Sequence, residues 1–157
     1  MSKQVKPIPD GFHSVTPYLI IKGAADALAF YKRAFGAEET LRINGPNGSI
    51  GHAEIQIGDS RIMLADEFPD MQCLSPQTLG GSPVSLMLYV PDVDATFAKA
   101  LAAGAKVRTQ IEDKFYGDRS GSLEDPFGHV WHIATHVEDF SEQELMERAK
   151  KFMESQS

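Results

Sequence analysis

The chain is short of cysteine, of tryptophan and of positive charge, and two of these shortages each close a class of explanation. Cys73 is the sole cysteine, so no disulfide can form within the chain. It stands in a stretch rich in Pro, Ser and Gly with no histidine beside it. It is read as a bystander, not a nucleophile or metal ligand. Lys and Arg number 15 against 22 Asp and Glu, a formal net charge of −7. Nucleic acid and anionic membrane surfaces both select basic patches, so neither is an expected partner. The pairs Lys32-Arg33 and Lys150-Lys151 are small and read as solvated helix faces. No apolar run approaches the roughly 20 residues of a membrane span. Met1 to Asp10 hold no apolar signal core, and a cytoplasmic location is expected.

What is present suits a globular protein. A hydrophobic share of 42% over 157 residues is enough for one domain, or for two small halves sharing a core. Residues 1–13, with Pro7, Pro9 and Gly11, read as an extended arm. Val15 to Ile21 is a strand with Thr16, Tyr18 and Ile20 on one face. Ala24 to Phe35 carries Ala27, Leu28, Tyr31, Ala34 and Phe35 at helical spacing, and Gly36 closes it. A strand follows at Glu39 to Ile43. Ile50 to Ile57 then alternates Ala53, Ile55 and Ile57 against His52, Glu54 and Gln56, and Gly58-Asp59 turns into a strand from Arg61 to Ala65. Residues 67–83 form a long Pro- and Gly-containing loop, read as a linker or a lid.

The order then repeats. Val84 to Val90 is a strand, Asp92 to Leu101 a helix ending at Gly104, and Val107 to Glu112 and Tyr116 to Leu123 are strands. Asp125-Pro126-Phe127-Gly128 is turn chemistry. The β-branched and aromatic run from Val130 to Thr135 is the last strand, with His132, Ala134 and His136 on one face and Trp131, Ile133 and Thr135 on the other. An offset of 68 residues carries Asp26-Ala27 to Asp94-Ala95, Gly36-Ala37 to Gly104-Ala105 and Leu64 to His132. The reading is therefore α+β: two paired βαβββ modules, 14–66 and 84–137, forming a curved, barrel-like mixed sheet around a cavity. Residues 138–157 add a C-terminal helix, opened by the capping box Ser141-Glu142-Gln143-Glu144 and striped by Leu145, Ala149, Phe152 and Met153. A homodimer is expected.

Three segments give the chain a family likeness. They are Ala29-Phe30-Tyr31-Lys32-Arg33-Ala34-Phe35-Gly36-Ala37, Tyr116-Gly117-Asp118-Arg119 with Gly121, and Asp125-Pro126-Phe127-Gly128-His129-Val130-Trp131. On them the chain resembles the vicinal-oxygen-chelate superfamily of glyoxalase I, bleomycin-resistance proteins and extradiol dioxygenases. The likeness spans about residues 14–137 and is nearest to an uncharacterised bacterial glyoxalase-like subgroup. The resemblance implies metal-ligand positions at Thr16, Leu64, Ser85 and His132. Only His132 suits zinc, nickel or iron, and one imidazole does not hold a divalent ion against water. No cofactor is therefore expected, with a divalent metal as the lesser alternative.

The candidate site residues follow from face and parity. His132 is the candidate general base, with His136 at the rim. His52 and Glu54 project from one strand face as an imidazole–carboxylate pair. Tyr18, Met87 and Tyr89 offer aromatic and thioether walls to a planar apolar ligand. Tyr116 and Arg119 suit an anionic or aromatic ligand, or Arg119 ties structurally to Asp118, Glu124 or Asp125. His129 is expected to be exposed and Trp131 to be core. The residues leave open a metal-independent small-molecule binder, a glyoxalase-type lyase or isomerase working through His132, His52 and Glu54, and a structural dimer module without ligand.

Overall fold

A computed structural model describes residues 4–157; residues 1–3 of the expected arm lie outside the described residues. The protein is α+β, with two four-stranded mixed sheets. It divides into two compact units, one up to Gly81 and one from Ser82.

In the first unit β1 (Tyr18–Ile21), α1 (Ala24–Phe35), β2 (Glu38–Asn44), β3 (Ile50–Ile57) and β4 (Ser60–Asp66) follow in order. The sheet order is β1-β4-β3-β2, parallel between β1 and β4 and antiparallel elsewhere. Helix α1 forms because Ala and Leu dominate it and both ends are closed. At its start the Asp66 carboxylate accepts the N–H groups of Gly23 (3.0 Å) and Ala24 (2.9 Å), placing negative charge at the positive end of the helix. At its end Gly36 takes φ 67°, and its N–H reaches back to Lys32 O. Ala27, Leu28, Phe30, Tyr31 and Ala34 are buried on α1, and Leu19, Ile21, Ala53, Ile55 and Leu64 are buried on the sheet. The first strand begins at Tyr18, three residues later than its β-rich sequence predicts, because Pro17 at its entry offers no N–H to a ladder.

The stretch after β4 is not a structureless loop. Residues Pro69–Met71 make a 3₁₀ turn, and α2 (Pro76–Leu79) is a single helical turn capped by the buried Ser75. The Glu67 carboxylate accepts from Ser75 N (2.8 Å) and Oγ (3.1 Å) and organises the segment.

The second unit holds β5 (Ser85–Tyr89), α3 (Val93–Ala102), β6 (Lys106–Asp113), β7 (Asp118–Glu124), β8 (Val130–His136) and α4 (Glu142–Ser155). Its sheet order, β5-β8-β7-β6, copies that of the first unit. Thr135 Oγ1 accepts from Val93 N at 2.8 Å, the role Asp66 plays for α1. An offset of 69 residues carries Ala24 to Val93 and Asp66 to Thr135. The offset of 68 that relates the helices' Asp-Ala pairs is therefore one residue short at the helix starts and on the first and last strands, and a one-residue slip moves a strand side chain to the other face.

Asp125 holds the turn into β8. Its Oδ1 accepts from Phe127 N (2.9 Å) and His129 N (3.0 Å), and its Oδ2 from Trp131 Nε1 (2.9 Å). Trp131 is buried as its face predicts. His129 is buried too, only 8% exposed, against the expectation of an exposed residue. The reason is the ladder: Asp125 N donates to His129 O at 2.9 Å and extends the β7–β8 pairing through it. Helix α4 starts with the expected capping box at Ser141 and Glu144. It rests on the second unit through Phe152 against Phe115 (4.9 Å between ring centres) and Arg148 over the Phe140 ring (3.9 Å).

Candidate functional site

Strand register decides which side chains can meet. In the first unit Tyr18 pairs with Met63 and Met63 with Glu54, so these three share the face turned away from α1. Leu19, Leu64 and Ala53 pair in the same way on the opposite face. Leu64 was expected to line the ligand hollow; it is fully buried under α1, and Met63 occupies the open position. The cause is the one-residue slip between the halves. Thr16 precedes β1 and is half-buried.

On this open face Tyr18, His52 and Glu54 come together. The Tyr18 hydroxyl lies 2.8 Å from His52 Nδ1, and His52 Nε2 lies 3.6 Å from Glu54 Oε1. Among the described residues Glu54 Oε2 is buried without a hydrogen-bond partner. Partial burial, then the nearness of Cys73 and Glu54, push the Tyr18 hydroxyl above the usual phenol range, so it keeps its proton at neutral pH. Beside Tyr18 opens a cavity of about 690 Å³. Tyr18, Ile20 and Ala65 line it from the sheet, and Phe68, Met71 and Cys73 line it from the segment after β4. The sequence places Tyr18 on this face but gives no sign that Cys73 stands in the cavity wall; the Phe68–Cys73 bridge that brings it there has no sequence signature. Hydrogen bonds from Thr78 and Ser75 hold the Glu67 carboxyl at the cavity edge below the usual range.

In the second unit Met87 pairs with His132 and His132 with Ser122, away from α3. His132 Nε2 lies 3.1 Å from Ser85 Oγ, joining two of the expected positions. Met87 and Tyr89 stand on the same face, 49% and 58% exposed. The buried Asp118, expected only as a tie for Arg119, is the hub of this face. Its Oδ2 accepts from the Tyr89 hydroxyl (2.8 Å), and its Oδ1 lies 2.7 Å from His136 Nδ1. Alternation along β7 was the available signal, since Asp118 pairs with His136 in register. His136 Nε2 reaches Asp139 Oδ1 at 2.7 Å. Asp118 first, then Asp139, hold the His136 imidazole above its ordinary value, and the bond to Asp118 raises Tyr89.

Arg119 does not belong to this face. It pairs with Thr135 on the helix side of β7 and grips Asp94 in the first turn of α3 through Nε (2.8 Å) and Nη2 (2.9 Å), with Asp113 at 3.2 Å from Nη1. The expected ties to Asp118, Glu124 or Asp125 are replaced by this bidentate pair, because parity on β7 turns Arg119 toward α3. Tyr116 sits in the turn before β7, edge-on to Phe115.

The donor set does not fit a resident metal. Leu64 faces the core, Ser85 already pairs with His132, and among the described residues no three His, Cys, Asp or Glu side chains are placed to hold an ion.

A duplicated strand–helix–three-strand unit with an open sheet face is the architecture of one large group of proteins. The family model of the Glyoxalase/Bleomycin resistance protein/Dioxygenase superfamily matches residues 11–133, and the chain belongs to that superfamily. An uncharacterised protein of Mycobacterium bovis is 42% identical over 135 residues, covering 84% of this chain and 89% of the relative. The X-ray structure of an Arabidopsis thaliana gene product superposes with a TM-score of 0.64 at 29% identity, over 78% of this chain and 98% of that one. TioX from Micromonospora superposes with a TM-score of 0.62 at 27% identity, over 80% of this chain and 99% of that one.

Proposed function

We propose that the chain is a small-molecule-binding protein of the glyoxalase/bleomycin-resistance type that works without a divalent metal. The observation that carries this reading is the cavity of about 690 Å³ in the first unit, walled by aromatic, aliphatic and sulfur side chains. Small-molecule sites have this character and commonly span about 300–1,000 Å³. Membership of a superfamily that includes resistance proteins and enzymes supports a small-molecule role, while the fold itself does not choose the ligand. Among the described residues no three His, Cys, Asp or Glu side chains stand close enough together to hold an ion, which supports metal independence.

The sole cysteine supplies the test. Cys73 lies on the cavity wall and is half-buried, so an occupant of the cavity shields it. A thermal-shift screen run with and without divalent ions should return ligands that raise Tm equally in EDTA, and those ligands should slow alkylation of Cys73 by iodoacetamide. Hits that all require an added ion, or that leave alkylation untouched, reject the reading.

A second reading, a metal-free lyase or isomerase, is favoured by the Ser85–His132 contact and by the Tyr18–His52–Glu54 grouping, each of which sets an imidazole beside a hydroxyl. It requires turnover by the purified chain that His132→Ala removes.

A further inference from the structure

We propose that the cavity of the first unit selects a flat aromatic ligand carrying a protonated amine and turns away carboxylates, sulfonates and phosphates. The proposal rests on the reading of this cavity as the binding site and names its ligand class. It follows from where the donors and acceptors around the cavity are already committed.

The Glu54–His52–Tyr18 chain sets the direction at one edge. His52 Nε2 faces the Glu54 carboxylate at 3.6 Å, and a carboxylate beside one ring nitrogen favours the proton there. The Tyr18 hydroxyl is bonded to His52 Nδ1, 2.8 Å away. Whichever of the two carries the shared proton, the Tyr18 oxygen keeps a lone pair for a ligand, an acceptor. Glu54 stands outside the cavity lining, and its Oε2 is buried without a partner among the described residues, a negative charge one side chain away from Tyr18.

Around the rest of the wall many of the donors are spent. Ser49 Oγ donates to Pro46 O at 2.7 Å, and Cys73 Sγ to Met71 O at 3.7 Å. The N–H of Ile50 goes to Asp66 Oδ2, that of Glu67 to Ile21 O, and that of Phe68 to Cys73 O. The N-terminus of α1 is no anion site, since Asp66 already takes the N–H groups of Gly23 and Ala24. No Lys or Arg stands among the described lining residues, whereas Asp66 and Glu67 do. An anionic ligand here would lose its water beside two carboxylates, with no cationic side chain to meet it. An ammonium finds the Tyr18 oxygen, the field of the lining carboxylates Asp66 and Glu67, and the aromatic rings of Tyr18 and Phe68 in the wall. The apolar remainder of the wall takes the aromatic body.

The test uses three naphthalenes of one shape on the full chain: 1-naphthylmethylammonium, 1-naphthylmethanol and 1-naphthoate. Titration calorimetry should rank them ammonium, alcohol, carboxylate, with ammonium over carboxylate by about tenfold or more. Each bound probe should slow Cys73 alkylation. Glu54→Gln and Tyr18→Phe, both checked for native circular dichroism, should each cut the ammonium preference by several-fold. Carboxylate binding as tight as ammonium overturns the charge selection and leaves the cavity as a binding site. So does a preference untouched in both variants. Failure of all three probes to bind, or binding that leaves Cys73 alkylation unchanged, overturns the binding site itself and the ligand class with it.

Discussion

The indole N–H of Trp131 donates to Asp125 Oδ2 at 2.9 Å, and both residues are buried. One carboxylate thus serves the first core side chain of β8 and, through Oδ1, the backbone of the turn that feeds it. Asp125→Ala would leave these donors unmet and should cost about 3–5 kcal/mol in urea unfolding. Trp131 is the sole tryptophan, so its fluorescence reports the loss directly.

His136 should make stability depend on pH. Its folded value is raised, first by Asp118 and then by Asp139, above the ordinary 6.5. A raised value means the protonated form is favoured in the folded state. The stabilisation is therefore complete below about pH 6.5 and fades as pH climbs through the folded value. Tm followed from about pH 6 to 9 should fall, and His136→Gln should flatten that fall.

Leu64 and Met63 test the register. Leu64→Ala removes a fully buried side chain beneath α1 and should cost about 2–5 kcal/mol. Met63→Ala, on the open face, should cost clearly less in the same melts. Equal losses would mean that β4 turns the other way.

Gly117 is held close to the chain that leaves β8. It sits at φ +100°, and a Cβ built there would lie 2.1 Å from Glu138 O. Its own carbonyl accepts the N–H groups of Val137 and Glu138. Gly117→Ala should destabilise by at least about 1–3 kcal/mol from backbone strain alone. Amide exchange should rise first at Val137 and Glu138.

Much of the fold was legible because its signals are local. Alternation on β3, helical spacing on α1, Gly36 at its end and the capping box at Ser141 each declare an element within a few residues. Face assignments survived wherever parity was counted within one strand, as for Tyr18, His52, Glu54 and His132. They failed where parity was carried between halves. Leu64 was matched to His132 across turns of different length, Gly58-Asp59 in one half and residues 125–129 in the other. Arg119 was sought among its sequence neighbours, yet its partner Asp94 lies 25 residues away on α3. The wall of the cavity is held by the backbone bridge between Phe68 and Cys73 and by the bonds from Ser75 to the Glu67 carboxylate, isolated contacts that leave no periodic trace.

Asp66 ties the cavity to the framework. The same carboxylate that stands in the cavity wall anchors Gly23 and Ala24 at the start of α1 and Ile50 at the start of β3. An occupant that steadies this wall therefore slows the opening of all three amides together. Hydrogen exchange at Gly23, Ala24 and Ile50 becomes a gauge of occupancy that needs no knowledge of what the occupant is. A helix cap built for folding thereby doubles as a sensor of the bound state.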